Sequence, residues 1–330
     1  MSLGNLGSSV LSCFPEQRSL SEPGFRFLDM KYSKILHYSR FLATAAILPA
    51  LLPLSLLAAK FPPLNSPAAA GVIPGKMVWA DLFTTDPESA QKFYCGLLGW
   101  TAESIEQKGK GYTIFSNAGE PVAGLSPRGI KGKGHPSRWI GYYSVGDISA
   151  SLALVSKSGG SIKADSRKFP NRGFQAIFVD AEGVPLGLIQ SSSGDAPDRE
   201  TPLGSWNWYE LYAKNPNATA DFFHEVLGLD SSKDTKPESK NELVLQTAGK
   251  SRGGISQLPD LPDAKASWLG VIRVSNLDST LAKVAGLGGE VILEPRGAEF
   301  GSRFAIVLDP TGGTIGLVEY VDSASSANTP

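Results

Sequence analysis

MVWADLFTTDPESAQKFYCGLLGW (77–100) and WNWYELYAKNPNATADFFHEVLGL (206–229) are one segment written twice. At a constant offset of 129, Trp79 meets Trp208, Asp81 meets Glu210, Leu82 meets Leu211, Pro87 meets Pro216, Phe93 meets Phe222 and Gly99 meets Gly228. The register continues through Trp139/Trp268, Gly141/Gly270, Val145/Val274, Gly159-Gly160/Gly288-Gly289, Asp180/Asp309, Gly183/Gly312 and Gly187/Gly316. It slips by one residue at Gly119/Gly249 and Gly124/Gly254. A fixed internal period marks a repeated structural unit. The chain is a tandem duplication, joined by the Ser/Pro/Gly/Asp-rich linker SSSGDAPDRETPLG (191–204).

Each copy reads as strand, helix, strands, and then the same again. Residues 78–83 alternate with period two and are rich in aromatics, the pattern of a half-buried strand. Asp86 is placed to cap a helix and Pro87 to open it, because a short carboxylate accepts orphan N–H groups and proline is preset for the first helical position. Ala90, Phe93, Tyr94, Leu97 and Leu98 form its apolar face, and Gly99 closes it. Asn215-Pro216 through Gly228 repeats the design. A strand at 139–145, a shorter helix from Asp147 to about Gly159, and a hairpin of 174–179 with 185–190 turned at 180–183 complete the copy. Each copy therefore holds two βαβββ-like halves.

The 330 residues carry 31 Lys/Arg against 32 Asp/Glu, a net charge of −1 that offers no footprint for nucleic acid. Two cysteines, Cys13 and Cys95, are too few for a disulfide framework or a thiolate metal site. Residues 1–70 stand apart. The run 41–59, FLATAAILPALLPLSLLAA, is uncharged and follows Lys31, Lys34 and Arg40, the layout of an export signal or membrane anchor. Ala68-Ala69-Ala70 offers a cleavage site, Ala58-Ala59 a poorer one, and Met30 an alternative start. The expected location is exported, periplasmic or membrane-anchored, with the cytoplasm as the lesser alternative. Residues 1–70 hold six of the Lys/Arg and three of the Asp/Glu, which leaves 25 against 29 in a mildly acidic remainder. The expected domains are 71–190 and 205–320, followed by a disordered tail at 321–330.

Both strand–Asp/Asn-Pro–helix–Leu-Gly segments, together with the terminal hairpins FVDAEGVPLGLIQ and VLDPTGGTIGLVEY, resemble the vicinal oxygen chelate superfamily of glyoxalases, bleomycin-resistance proteins and extradiol dioxygenases. The resemblance covers about residues 77–320, in duplicate. It implies an α+β fold of two tandem domains, each with two βαβββ units curling into one cup-shaped mixed sheet, helices outside and ligand inside. In the metal-using members, ligands come from the opening strands of the halves and from a carboxylate on the closing strand. Here the opening-strand positions are Trp79 and Trp208, the second-half positions offer Ile140-Gly141 and Leu269-Gly270, and the closing positions are Gly187 and Gly316. Indole and glycine supply no donor to a divalent ion. His135 and His224 are the only histidines after residue 70, and both are expected on the surface. No metal ligand and no cofactor is assigned, with a divalent metal as the alternative.

Strand alternation points Trp79, Asp81 and Phe83 into the first cup and Val78, Ala80 and Leu82 towards the helix. Trp208, Glu210 and Tyr212 line the second cup on the same grounds. Tyr142 is assigned to the first cup, and Val271 and Arg273 to the second. Such cavities suit a flat or partly apolar small molecule bearing a donor or cation. Asp81 and Glu210 are the candidate catalytic groups, each able to act as a general base if burial raises its pKa. Against this stands a plainer role, in which each carboxylate accepts bonds from a neighbouring indole and orders the strand.

The expectation is a metal-independent small-molecule-binding protein, monomer or homodimer, touching a membrane only through an uncleaved N-terminal segment. The alternatives are a metal-dependent lyase or dioxygenase drawing ligands from Glu210, His135 or Glu319, and an interaction scaffold with filled cups. Gly249-Lys250-Ser251 lacks the earlier glycine of a phosphate loop, and the sequon at Asn217 falls in a helix's first turn.

Overall fold

A computed structural model describes residues 61–69, 71–107, 110–128, 137–233, 242–260, 264–296 and 302–320. The apolar run at 41–59, His135 and the tail from 321 lie outside the described residues. Among the described residues no helix is long and apolar enough to cross a membrane.

The first copy runs β1 (Met77–Thr84), α1 (Pro87–Leu98), β2 (Thr101–Gln107), β3 (Lys110–Asn117), β4 (Glu120–Pro127), β5 (Arg138–Ser144), α2 (Ile148–Lys157), β6 (Ser161–Phe169), β7 (Gly173–Val179) and β8 (Pro185–Ser191). The second repeats it as β9 (Trp206–Ala213), α3 (Pro216–Leu227), β10 (Asp230–Lys233), β11 (Glu242–Thr247), β12 (Lys250–Gln257), β13 (Ser267–Arg273), α4 (Leu277–Leu281), β14 (Glu290–Arg296), β15 (Ser302–Leu308) and β16 (Thr314–Tyr320). Each copy is one eight-stranded mixed sheet, β2-β3-β4-β1-β5-β8-β7-β6 and β10-β11-β12-β9-β13-β16-β15-β14. The opening strands of the two halves, β1 with β5 and β9 with β13, lie side by side and antiparallel at the centre. That pairing joins two βαβββ units into a single sheet.

The helix signals in the sequence are realised atom by atom. Asp86 accepts from the Ser89 N–H, Pro87 opens α1, and Gly99 closes it in the left-handed region at φ 73°. Asn215, Pro216 and Gly228 do the same for α3. The hairpin turn at 180–183 is held by Asp180, whose Oδ1 accepts from the N–H groups of Glu182 and Val184.

The helix-bearing faces of the two sheets pack against one another, so the apolar layers are shared. One core joins Tyr143, Leu152, Val155 and Phe178 of the first copy to Tyr209, Phe222, Phe223 and Val226 of the second. The other joins Leu82, Phe93, Tyr94 and Trp139 to Leu277, Val307, Ile315 and Leu317. The first half thus packs with the fourth, and the second with the third. Four of the six tryptophans anchor these contacts through their indole N–H. Trp100 donates to Gly204 O, Trp139 to Tyr94 OH, Trp206 to Val122 O and Trp268 to Tyr143 OH. The remaining pair, Trp79 and Trp208, belongs to the opposite, concave faces.

Candidate functional site

The concave face of the first sheet gathers Trp79, Tyr112, Ile114, Ile140 and Tyr142, with Phe83 packed beside them. β1 sets Trp79 across from Tyr142 on β5. Ala80 and Leu82 turn the other way, into the core under α1. Val78 departs from the expected alternation and packs with the cup residues, because the β1–β5 register shifts between Met77 and Trp79 and the strand bulges there.

At the floor of this cup Asp81 is buried. Its Oδ1 accepts from Trp79 Nε1 at 2.7 Å and from Tyr112 OH at 2.5 Å. Gly124 on the adjoining strand leaves the room, since a Cβ there would strike both the Tyr112 hydroxyl and the Asp81 carboxylate. Burial pushes the Asp81 carboxyl up, while the bonds from Tyr112 and Trp79 and the charge of Arg172 pull it back. Arg172, from the turn between β6 and β7, lies 3.9 Å above the Trp79 ring centroid and is 1% exposed.

The second cup keeps the frame and changes the chemistry. Trp208 Nε1 donates to Glu210 Oε2 at 3.0 Å, and Ser256 Oγ donates to Oε1 at 2.6 Å. Tyr212, Leu269, Val271 and Phe304 supply the walls. The place of Tyr112 is taken by Glu242, with Val244 facing Gly254 as Ile114 faces Gly124. The place of Tyr142 is taken by Val271. Glu210 therefore lacks the phenols that hold Asp81, and the buried Oε2 of Glu242 has no hydrogen-bond partner among the described residues. Burial pushes the Glu210 carboxyl up to about 8, opposed by the Ser256 and Trp208 bonds and reinforced by the Glu242 charge. A cleft of about 640 Å³ adjoins this cup, with Trp208, Lys76, Asp198 and Arg252 among its walls.

The pattern of the Glyoxalase/Bleomycin resistance protein/Dioxygenase superfamily matches residues 76–188 and, again, 205–317. The chain belongs to this superfamily. The Mycobacterium tuberculosis protein CFP32, whose name assigns it provisionally to the glyoxylases, is 30% identical over 244 residues, covering 73% of this chain and 93% of that protein. The anthracycline biosynthesis protein DnrV of Streptomyces peucetius is 28% identical over 267 residues, covering 77% of this chain and 96% of its own. Among solved structures, the Mn(II)-bound glyoxalase of Novosphingobium aromaticivorans shares the fold with a TM-score of 0.52 at 16% identity, over 76% of this chain and 84% of that one. The 2,3-dioxygenase LapB of a Pseudomonas species does so at 0.51 and 14%, over 76% and 93%.

The superfamily's metal-ligand positions carry no ligand side chain among the described residues. The opening-strand positions hold indoles whose only polar group is a donor already spent on a carboxylate. The closing-strand position has no space for a ligand: a Cβ on Gly187 would lie 2.2 Å from the Tyr142 ring, and one on Gly316 would lie 2.7 Å from Phe304. Glu319 points to the helix side of β16, where it accepts from the Leu277 N–H and faces Arg303, far from a role beside Glu210. His224 sits on α3 with its side chain 58% exposed. Among the described residues no group of three His, Cys, Asp or Glu could hold a metal ion.

Of the residues assigned from sequence, Trp79, Asp81, Phe83 and Tyr142 converge in the first cup, and Trp208, Glu210 and Tyr212 in the second. Arg273 instead clasps the linker, donating to Glu200 Oε1 at 2.6 Å and Thr201 O at 2.7 Å with its guanidinium over Tyr320. Arg172, Tyr112, Ser256 and Glu242 escaped sequence reasoning. Tyr112 and Glu242 sit at equivalent places on β3 and β11, where the one-residue slip in the repeat hides the pairing. Arg172 lies in a turn whose counterpart in the second copy falls outside the described residues.

Proposed function

We propose that the protein binds a small, partly aromatic or apolar molecule in its cups without a metal ion, and that Glu210 is the polar group the second cup offers to that molecule. What carries this is the Trp208–Glu210–Ser256 arrangement. It is a carboxyl walled by an indole and apolar side chains, whose raised pKa keeps its proton at neutral pH. A protonated carboxyl in an apolar site donates a hydrogen bond, so the favoured ligand presents an acceptor such as a carbonyl or phenolic oxygen. In any turnover the same group is the general acid. Asp81, held by a phenol and an indole, has the plainer role of ordering its strand.

Titration calorimetry of the full chain with catechol and with the methylglyoxal–glutathione hemithioacetal, each with and without EDTA, tests this. Binding indifferent to EDTA and weakened about tenfold or more by Trp208→Ala is the expected result. Binding that needs an added divalent ion, or that ignores Trp208→Ala, goes against it. Metal-dependent turnover lost in Glu210→Ala would put a lyase or dioxygenase in its place. Export directed by residues 41–59 belongs to the same proposal, and amino-terminal sequencing of the secreted or membrane-bound protein checks it.

A further inference from the structure

The first cup is already filled, and not by its own walls. Phe61, from the segment FPPLNSP that precedes the first copy, is 3% exposed inside it. Its ring lies 5.2 Å from that of Tyr112 and 5.3 Å from that of Phe169, both edge-on, and Leu64 packs on the same cluster. The Arg172 guanidinium stands 5.4 Å from the Phe61 ring, and its Nε and Nη2 both reach Pro62 O at 3.5 Å. Outside the cup the segment is tied to the end of β8. Asn65 N donates to Ser193 Oγ, Asn65 Nδ2 to Gly194 O, Ala69 N to Ser193 O and Ile73 N to Asp195 Oδ2. Gly194, at φ 66°, permits this approach, because a Cβ there would strike Ala69 O.

Two features give this contact the character of a ligand rather than of ordinary packing. Phe61 is followed by two prolines, which pre-order an extended backbone that aromatic-lined grooves bind at low entropic cost. Stacked on Trp79 and near the Asp81 charge, the buried guanidinium has, among the described residues, one hydrogen-bond acceptor, the Pro62 carbonyl at 3.5 Å, whereas a carboxylate would close to about 2.8 Å in a bidentate pair. Arg172 is thus built for an oxygen better than the one it has.

We propose that the first cup is a binding site for an aromatic carboxylate or carbonyl compound, its ring taking the place of Phe61 and its oxygen the place of Pro62 O on Arg172, and that residues 61–64 occupy the site as a competing internal ligand. This rests on the cups being small-molecule sites and on the leader being retained or cut at Ala58-Ala59, which leaves Phe61 in the chain, but concerns the other cup from the one that Trp208→Ala tests. A tethered occupant competes at high effective concentration, so the intact chain binds such a compound only to the extent that the segment leaves.

The test is titration of the full chain and of Phe61→Ala with 3-phenylpropionate, with 3-phenylpropanol as the ring that lacks the carboxylate, and with the peptide N-acetyl-Phe-Pro-Pro-Leu-amide. The expected result is that Phe61→Ala binds the acid about tenfold or more tighter than the intact chain. It also binds the peptide, binds the alcohol at least tenfold more weakly than the acid, and loses the acid on adding Arg172→Lys. Equal affinity of the intact chain and Phe61→Ala for the acid, or no peptide binding, overturns the internal ligand while leaving the cup as a site. Equal affinity for acid and alcohol, or no binding of the acid by either protein, overturns the assigned chemistry. Neither outcome bears on catechol binding at Trp208.

Discussion

Asp81 and Glu210 are the same position of the repeat, both pushed up by burial and held back by different donors. A buried carboxylate keeps its charge only where donors replace the water it lost. Asp81 has a phenol, an indole and a nearby guanidinium, and Glu210 an indole and a serine with a second carboxylate close by. Glu210 holds its proton in the native state up to about pH 8, whereas its ordinary value is 4.5. Between those values the native protein binds a proton that the unfolded chain has released, so stability falls as pH rises through that window. The loss is on the order of a few kcal/mol, taking 1.36 kcal/mol per unit as the ceiling. Glu210→Gln keeps the shape and removes the titration. Urea unfolding at pH 5.5 and pH 9 should show the wild type weakening with pH and the Gln variant staying nearly level. Equal slopes for the two proteins would mean that Glu210 titrates normally. The acid itself was legible in the sequence from strand alternation. Its raised pKa was not, because the burial that raises it, and the Glu242 charge that adds to it, come with strands β12 and β11, more than thirty residues downstream.

At the scale of elements, legibility followed locality. The caps of α1 and α3 depend on residues three or four apart, and Asp86, Pro87 and Gly99 name their own roles. The partner of a helix face depends on the whole topology, and there the sequence was silent. Tyr94 reads as one more apolar position of α1, yet its hydroxyl donates to Asp309 Oδ2 in the second copy at 2.7 Å and accepts from Trp139 at 2.8 Å. The equivalent helix position in α3 is Phe223, and Asp180 Oδ2 is buried with no partner among the described residues, burial pushing its carboxyl up to about 6. The repeat thus carries one satisfied turn carboxylate and one strained by burial. Tyr94→Phe should leave Asp309 Oδ2 and the Trp139 N–H unpaired and cost about 1–3 kcal/mol in chemical denaturation. A change within about 0.5 kcal/mol would show that this link adds nothing to the packing of the ring alone.

For the molecule as a whole, duplication in the sequence suggested two domains joined by a linker, and left open where the core lies. The structure places it between the copies. The helix-bearing face of each sheet is covered by the other copy, and both apolar layers draw residues from both. Neither copy can leave without exposing Tyr143, Phe178, Phe222 and Phe223 in one layer and Phe93, Tyr94 and Leu317 in the other, each of which is worth about 1.5–3 kcal/mol when fully buried. The linker is accordingly a staple rather than a hinge, clasped by Arg273 on Glu200 and by Arg252 and Lys76 on Asp198. The full chain should therefore unfold in one calorimetric transition, with the van't Hoff and calorimetric enthalpies in agreement. A protease site inserted in the linker and cut should leave the two pieces together on size exclusion. Trp268→Phe in the second copy and Tyr94→Phe in the first should shift that same transition, since each removes a hydrogen bond that crosses or supports the shared layers. Two resolved transitions, with each variant moving only one of them, would return the molecule to a pair of independent domains and sink the shared core.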